Sequence, residues 1–92
     1  MNLQLTLTWE EAKEIANSQI FKHFQEYLKD IELELLQGSW DGLTYDQIAE
    51  TYHHSVNYIR GDIGPKLWHK LSLALAEEVT KNNFKGALER AW

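Results

Sequence analysis

The 92-residue sequence contains no cysteine, one proline and five glycines. The lack of cysteine excludes disulfide bonds and thiolate metal sites, and it favours an intracellular, cytoplasmic protein. Because proline and glycine are scarce, little of the chain suits a disordered linker, and we expect a single domain over residues 1–92. No apolar run approaches the ~20 residues of a membrane span, and Met1-Asn2-Leu3-Gln4 lacks the basic start of a signal peptide. The sequence therefore predicts no membrane partner.

A basic excess is also missing, since the net charge is −5. Residues 1–50 carry three Lys and ten Asp/Glu, a net charge of −7, whereas residues 51–92 carry six Lys/Arg and four Asp/Glu, a net charge of +2. Proteins that bind nucleic acid without sequence preference are usually basic, because phosphate contacts gain free energy from counterion release. The charge therefore favours a protein partner over DNA, although the basic second half keeps double-stranded DNA open as an alternative.

Apolar residues recur at helical spacing along most of the chain, and 43% of all residues are hydrophobic. The fold class that this pattern predicts is all-α, a compact bundle of five to seven helices. Thr8 and Glu11 have the spacing of a capping box and predict the start of the first helix, which Asn17-Ser18 would break or bend. Its stripe continues through these residues: Ile20, Phe21, Phe24, Tyr27, Leu28 and Ile31.

The end of the chain predicts a last helix capped by Thr80, with an inward face spaced i, i+3, i+4, i+7. That face consists of Phe84, Ala87, Leu88 and Ala91. The opening Leu3-Gln4-Leu5-Thr6-Leu7 alternates apolar and polar residues, which permits a short strand. Paired with Glu78-Val79, that strand would form a two-stranded wing.

A helix-turn-helix is indicated between Thr44 and about Asp62. Thr44 and Gln47 have capping-box spacing, and Ser55 can cap a second helix that buries Ile59. The glycines around Pro65 predict an interruption after this second helix. Proline is favoured at the first position of a helix, so Pro65 is expected to open a new one that runs to about residue 76.

Two resemblances to known families follow from these segments. Residues 28–63 resemble the helix-turn-helix of LuxR-type response regulators and of the promoter-reading region of sigma factors, on Leu28, Leu36, Gly42, Leu43, Thr44, Ile48, Ala49, Ser55 and Ile59. A wider set of motifs covers most of the chain: Gly38-Ser39-Trp40-Asp41-Gly42-Leu43-Thr44-Tyr45-Asp46-Gln47-Ile48-Ala49, Tyr58-Ile59, Gly64-Pro65-Lys66-Leu67-Trp68, Leu71-Ser72, Val79-Thr80-Lys81-Asn82-Asn83-Phe84 and Ala87-Leu88-Glu89-Arg90. On this wider set the chain is similar to the N-terminal helix-turn-helix domain of vWA-MoxR-associated proteins, common in cyanobacteria.

This second resemblance implies an N-terminal input or adaptor domain of a longer signalling or conflict-system protein. Such a domain usually precedes a STAND-type nucleotide-binding (NB-ARC) domain, WD repeats or another effector. The resemblance implies no catalysis in this module and leaves open whether the ligand is DNA or protein.

The candidate binding residues lie on the predicted second helix of the motif and on the helix after it. Side chains that can reach base edges or phosphates are Ser55, Asn57, Tyr58 and Arg60. Lys66, His69 and Lys70 are spaced i, i+3 and i+4, so they share one helix face that could straddle a phosphate backbone. The alternatives are a protein-binding surface and an ordinary solvated face.

Other kinds of site have weak support. The adjacent His53 and His54 point apart on any regular element, so they predict no metal site, and we expect one of them to pack partly inward in the turn. The sequence contains no phosphate loop, no nucleophile elbow and no carboxylate pair suited to acid–base catalysis. It therefore predicts neither a cofactor nor a catalytic residue. Trp40, between Gly38 and Gly42, is expected in a loop, either as a plug beneath the motif or as a partner hot spot.

The interpretation that these observations favour is a non-catalytic regulatory or adaptor module that binds protein through a helix-turn-helix. The alternative is sequence-specific DNA binding through the helix Ser55–Asp62, as in transcription regulators. Homo-oligomers are open under both interpretations, because helix-turn-helix proteins often read two half-sites as dimers.

Overall fold

Five helices follow one another along residues 6–92, the part of the chain that the computed structural model describes. They are α1 (Trp9–Phe24), α2 (Asp30–Trp40), α3 (Tyr45–Tyr52), α4 (residues 56–75) and α5 (Phe84–Ala91). The predicted all-α bundle with a central helix-turn-helix is confirmed.

The predicted capping boxes start α1 and α3. The Thr8 backbone N–H donates to the Glu11 carboxylate at 3.0 Å, and the Glu11 N–H donates to the Thr8 hydroxyl at 3.2 Å. Thr44 and Gln47 make the same reciprocal pair, at 2.9 and 3.2 Å. Each box satisfies two of the backbone donors that a helix N-terminus leaves free, so these starts follow from local sequence.

The first helix is not broken at Asn17-Ser18, where the sequence predicted a break or a bend. It continues to Phe24 and ends at Gln25, whose φ of 58° is left-handed. Asn17 has a different role, because its side-chain oxygen accepts the Leu28 backbone N–H at 3.0 Å and so holds the connection to α2. The prediction of a continuous apolar stripe is also wrong in part. Phe21 and Tyr27 are exposed, and they stack on each other with their ring centroids 4.8 Å apart.

The helix that begins at Val56 passes through the predicted interruption. It consists of Val56–Tyr58, a π-helical turn over Ile59–Ile63, and Gly64–Leu75. The Gly64 N–H donates to the Ile59 carbonyl, five residues back. A proline within an α-helix clashes with the carbonyl four residues earlier, and a π turn adds a residue at that point. Pro65 lies in the first turn of the α-helical segment Gly64–Leu75, as predicted, but the expected interruption before it is wrong, because the π turn joins the two parts into one helix.

The two-stranded wing is not observed in the described part of the chain. Residues 3–5 lie outside the described residues, and residues 6–7 and 78–80 form no strand. The backbone N–H of Val79 finds its hydrogen-bond acceptor in a side chain, since it donates to the Ser72 hydroxyl at 2.8 Å. That hydroxyl donates to the Trp68 carbonyl at 2.7 Å, so this segment packs on α4 without a strand partner.

The last helix begins three residues later than the prediction. Thr80 opens a turn in which its N–H donates to the Asn83 side chain at 2.7 Å, and the Phe84 N–H donates to the Thr80 carbonyl at 3.1 Å. The predicted inward face holds for Phe84, Ala87 and Leu88, which are buried, whereas Ala91 is exposed.

An aromatic cluster closes the core between α1, α2, α4 and α5. Trp40 is the last residue of α2, not a loop residue, and its ring centroid lies 6.1 Å from that of Trp9 and 6.2 Å from that of Phe84. The ring centroid of Trp68 lies 5.5 Å from that of Phe84. Trp40 therefore packs against the core, as the first of its two expected roles requires, but its aromatic neighbours lie on α1 and α5 and not on the helix-turn-helix. Within residues 6–92, no helix has the length and apolar character needed to cross a membrane.

Candidate interaction surface

Residues 53–55 form the turn between α3 and α4. His53 ends α3 with a left-handed φ of 63°, and the Ser55 hydroxyl accepts the Tyr58 N–H at 3.4 Å. His54 is half-buried, and its Nε2 lies 2.8 Å from the Glu34 carboxylate on α2. His53 is exposed, so the expectation that one of the two histidines packs inward is confirmed. Across the described residues, no group of three potential ligands could hold a metal ion.

Close contacts join α3 to α2 and to α4. A Cβ on Gly38 would lie 2.5 Å from Cγ1 of Ile48, so α2 and α3 can approach this closely only with glycine at residue 38. On α4, the Trp68 indole N–H donates to the Tyr45 hydroxyl at 2.9 Å. The first contact holds α2 against α3, and the hydrogen bond ties the second half of α4 to the start of α3, while the first half of α4 packs on α3 in the arrangement of a helix-turn-helix.

The arginine expected to read DNA is paired within the chain. The Arg60 guanidinium donates to the Asp46 carboxylate on α3 at 2.5 Å. Both side chains are exposed, so the pair lies at the surface. Because these residues are 14 positions apart, neither helical spacing nor a motif pointed to this pair.

Both predicted lysines are paired as well. Lys66 lies 2.7 Å from Asp62, one turn earlier on α4, and this hydrogen bond raises the pKa of the Lys66 ammonium. Lys70 lies 2.8 Å from the Glu32 carboxylate on α2, and Glu32 is buried. A second Glu32 oxygen accepts the Lys29 backbone N–H at 2.8 Å. Lys70 is therefore part of the packing between α2 and α4.

The seven predicted residues do not form one face. Tyr58, Lys66, His69 and Lys70 line a groove of about 410 Å³ between α4 and the α1–α2 junction. Arg60 contacts α3 instead and is not in the groove lining, and neither are Ser55 and Asn57, which are exposed near the start of α4. The sequence missed the apolar groove residues from α1 and α2, since only the fold brings them to α4: Phe24 and Ile31.

The two helices and their short turn define the protein as a helix-turn-helix domain, embedded in a larger helical bundle. The chain belongs to the family described as the vWA-MoxR associated protein N-terminal HTH, whose model matches residues 7–91. No curated protein and no solved structure matches the chain.

Proposed function

We propose that this chain is a non-catalytic adaptor module at the N-terminal side of a longer protein, and that its helix-turn-helix binds another protein. The observation that carries this proposal is the pairing of Arg60, Lys66 and Lys70 with carboxylates of the same domain. The family's printed description, an N-terminal helix-turn-helix, supports the placement in a longer protein.

Phosphate binding at this surface would carry an electrostatic cost. To contact a phosphate with its full charge, Arg60 would have to leave Asp46, and Lys66 would have to leave Asp62. Each released carboxylate would stay within a few ångströms of the phosphate and repel it. Together with the net charge of −5, this leaves little of the counterion-release free energy on which most DNA affinity depends.

Exposed apolar side chains on α4 favour a protein partner. Tyr58 is 44% exposed and Leu73 is 45% exposed, and both lie on the groove side of the helix. Aromatic residues such as tyrosine supply much of the binding free energy at protein interfaces, because they bury a large rigid surface with little loss of entropy.

DNA readout is the second candidate function. Ser55, Asn57 and Arg60 are exposed in the first turns of α4, the part of a recognition helix that contacts base edges. A direct test must therefore compare the parent chain with variants in which the cations are released from their carboxylates.

We expect the parent chain to show no salt-dependent binding to a random-sequence 20-base-pair duplex at 50 mM salt. The double substitution Asp46→Asn and Asp62→Asn should create such binding, with an affinity gain of about tenfold or more, because two cations become free for phosphates. Fluorescence anisotropy across a salt series measures both affinities. The matched control is Glu10→Gln with Glu14→Gln, which removes the same charge from α1 and should have a much smaller effect.

The opposite pattern would contradict the proposal. If the parent chain binds the duplex with a steep salt dependence, and Arg60→Ala removes that binding, the domain is a DNA reader and the paired arginine exchanges its carboxylate for the nucleic acid.

A further inference from the structure

The groove beside α4 has an apolar floor formed by two parts of the fold. Phe24 and Ile31 come from the α1–α2 junction, whereas Tyr58, Ile63 and Leu73 come from α4. The groove measures about 410 Å³, within the range of sites that bind ligands. We call it the α4 groove.

Two of the exposed large apolar side chains in residues 6–92 belong to this groove. They are Tyr58 and Leu73, at 44% and 45% exposure, and the others are Phe21, Tyr27 and Trp92. Tyr58 and Leu73 lie 15 positions apart on one helix, about 22 Å along its axis. That length matches about four turns of a helix lying alongside, which is the geometry of helix-in-groove recognition.

The lining of the α4 groove is weakly positive, although the chain as a whole is acidic. Lys29 and His69 line the groove and have no carboxylate within ion-pairing distance among residues 6–92. Lys66 is paired with Asp62, and Lys70 is held by Glu32 at 2.8 Å and by Glu26 at 3.8 Å, so these two lysines are less available to a ligand than Lys29. With neutral histidine, the lining carries three lysines against Glu32 and Asp62. A ligand with negative charge is therefore favoured.

We propose that the α4 groove binds an acidic amphipathic helix of a partner protein. Apolar side chains of that helix, spaced i, i+3 or i+4, and i+7, would cover Tyr58 and Leu73, and its carboxylates would face Lys29 and His69. This inference rests on the proposed function, since it names the surface and the partner chemistry of the same module.

The test is a selection of 16-residue peptides displayed on phage, with the 92-residue chain as bait. The selected peptides should carry a net negative charge and apolar residues at helical spacing. Synthetic copies should bind at least tenfold more weakly to Leu73→Glu than to the parent chain, as measured by fluorescence anisotropy. Phe21→Glu is the matched control, because Phe21 is 43% exposed but lies outside the groove, and it should bind like the parent.

A second variant guards against loss of folding in Leu73→Glu. The substitutions Lys29→Glu and Lys66→Glu change exposed side chains, and helix content by circular dichroism should stay at the parent value. With this variant as bait, the selection should yield basic peptides in place of acidic ones, because the net charge of the groove lining becomes negative.

The possible failures are distinct. Selection of neutral or basic peptides by the parent chain would contradict the proposal for the α4 groove. So would peptides that lose affinity with Phe21→Glu but not with Leu73→Glu. In both cases the proposed function, a protein-binding module, would still stand. If no peptide is selected and the parent chain binds the DNA duplex in a salt-dependent way, both the proposal for the α4 groove and the proposed function are wrong. No binding to either ligand would also overturn the groove, because an exposed groove of this kind should select peptides.

Discussion

Replacing Gly38 with valine should lower the free energy of unfolding by about 3 kcal/mol, the upper part of the range for overpacked cores. A Cβ at residue 38 would lie 2.5 Å from Cγ1 and 3.0 Å from Cδ1 of Ile48, and these atoms belong to a stiff, fully buried side chain. Valine adds two further carbons in the same space. The gain in helix propensity over glycine, under about 1 kcal/mol, is too small to compensate. Urea unfolding followed by tryptophan fluorescence measures the change.

Gly61→Val provides the matched control, because a Cβ at Gly61 has no neighbour within 4 Å and the residue is exposed. We expect its effect to stay within about 0.5 kcal/mol. A double-mutant cycle with Ile48→Ala should give a favourable coupling of about 1–2 kcal/mol, because the smaller side chain relieves the contact. Equal effects of valine at residues 38 and 61 would show that the α2–α3 approach does not depend on glycine.

Lys70→Met should destabilise the domain by about 3 kcal/mol, the lower end of the range for breaking a buried ion pair. Methionine keeps the length of the lysine stem, so packing changes little. Glu32, however, keeps its buried charge and loses the ammonium 2.8 Å away. Thermal unfolding by circular dichroism, analysed together with urea titration, measures the loss.

Lys66→Met is the control for Lys70→Met. Lys66 also lies on α4 and pairs with a carboxylate, that of Asp62, but its side chain is 74% exposed. Its effect should be much smaller than that of Lys70→Met, as for other surface pairs. Adding Glu32→Leu to Lys70→Met should restore most of the lost stability, since a well-packed apolar pair can replace a buried ion pair. If Lys70→Met unfolds like Lys66→Met, the lysine is free for a ligand, and the sequence-based expectation of a phosphate contact is reinstated.

Local signals predicted the starts of α1 and α3 and the turn between α3 and α4. Thr8 and Thr44 act with partners three residues away, so the chemistry of each start is contained in one turn of sequence. Inward residues of α4 and α5 also followed from spacing, as at Ile59 and Leu88.

Features that depend on distant residues were not predictable in this way. The pair of Lys70 with Glu32 joins positions 38 apart, and the pair of Arg60 with Asp46 joins positions 14 apart. Helical spacing therefore placed Lys66, His69 and Lys70 on one face correctly but did not reveal that Lys70 is held by a buried acid. The continuation of α4 past Pro65 was missed because a proline in the sequence indicates a helix boundary far more often than a π turn.

The π turn at Ile59–Ile63 fixes the angular phase between the two halves of α4. One extra residue in a helix rotates everything after it by about 100° relative to everything before it. The first half packs on α3, the second half contacts α1, and the two must be in phase for both contacts to form. Tyr58, before the turn, and His69 and Leu73, after it, share the α4 groove only with this phase. A loss of one residue in this turn would therefore split the groove between two sides of the helix, and it would also turn the α1-facing residues of the second half away from α1.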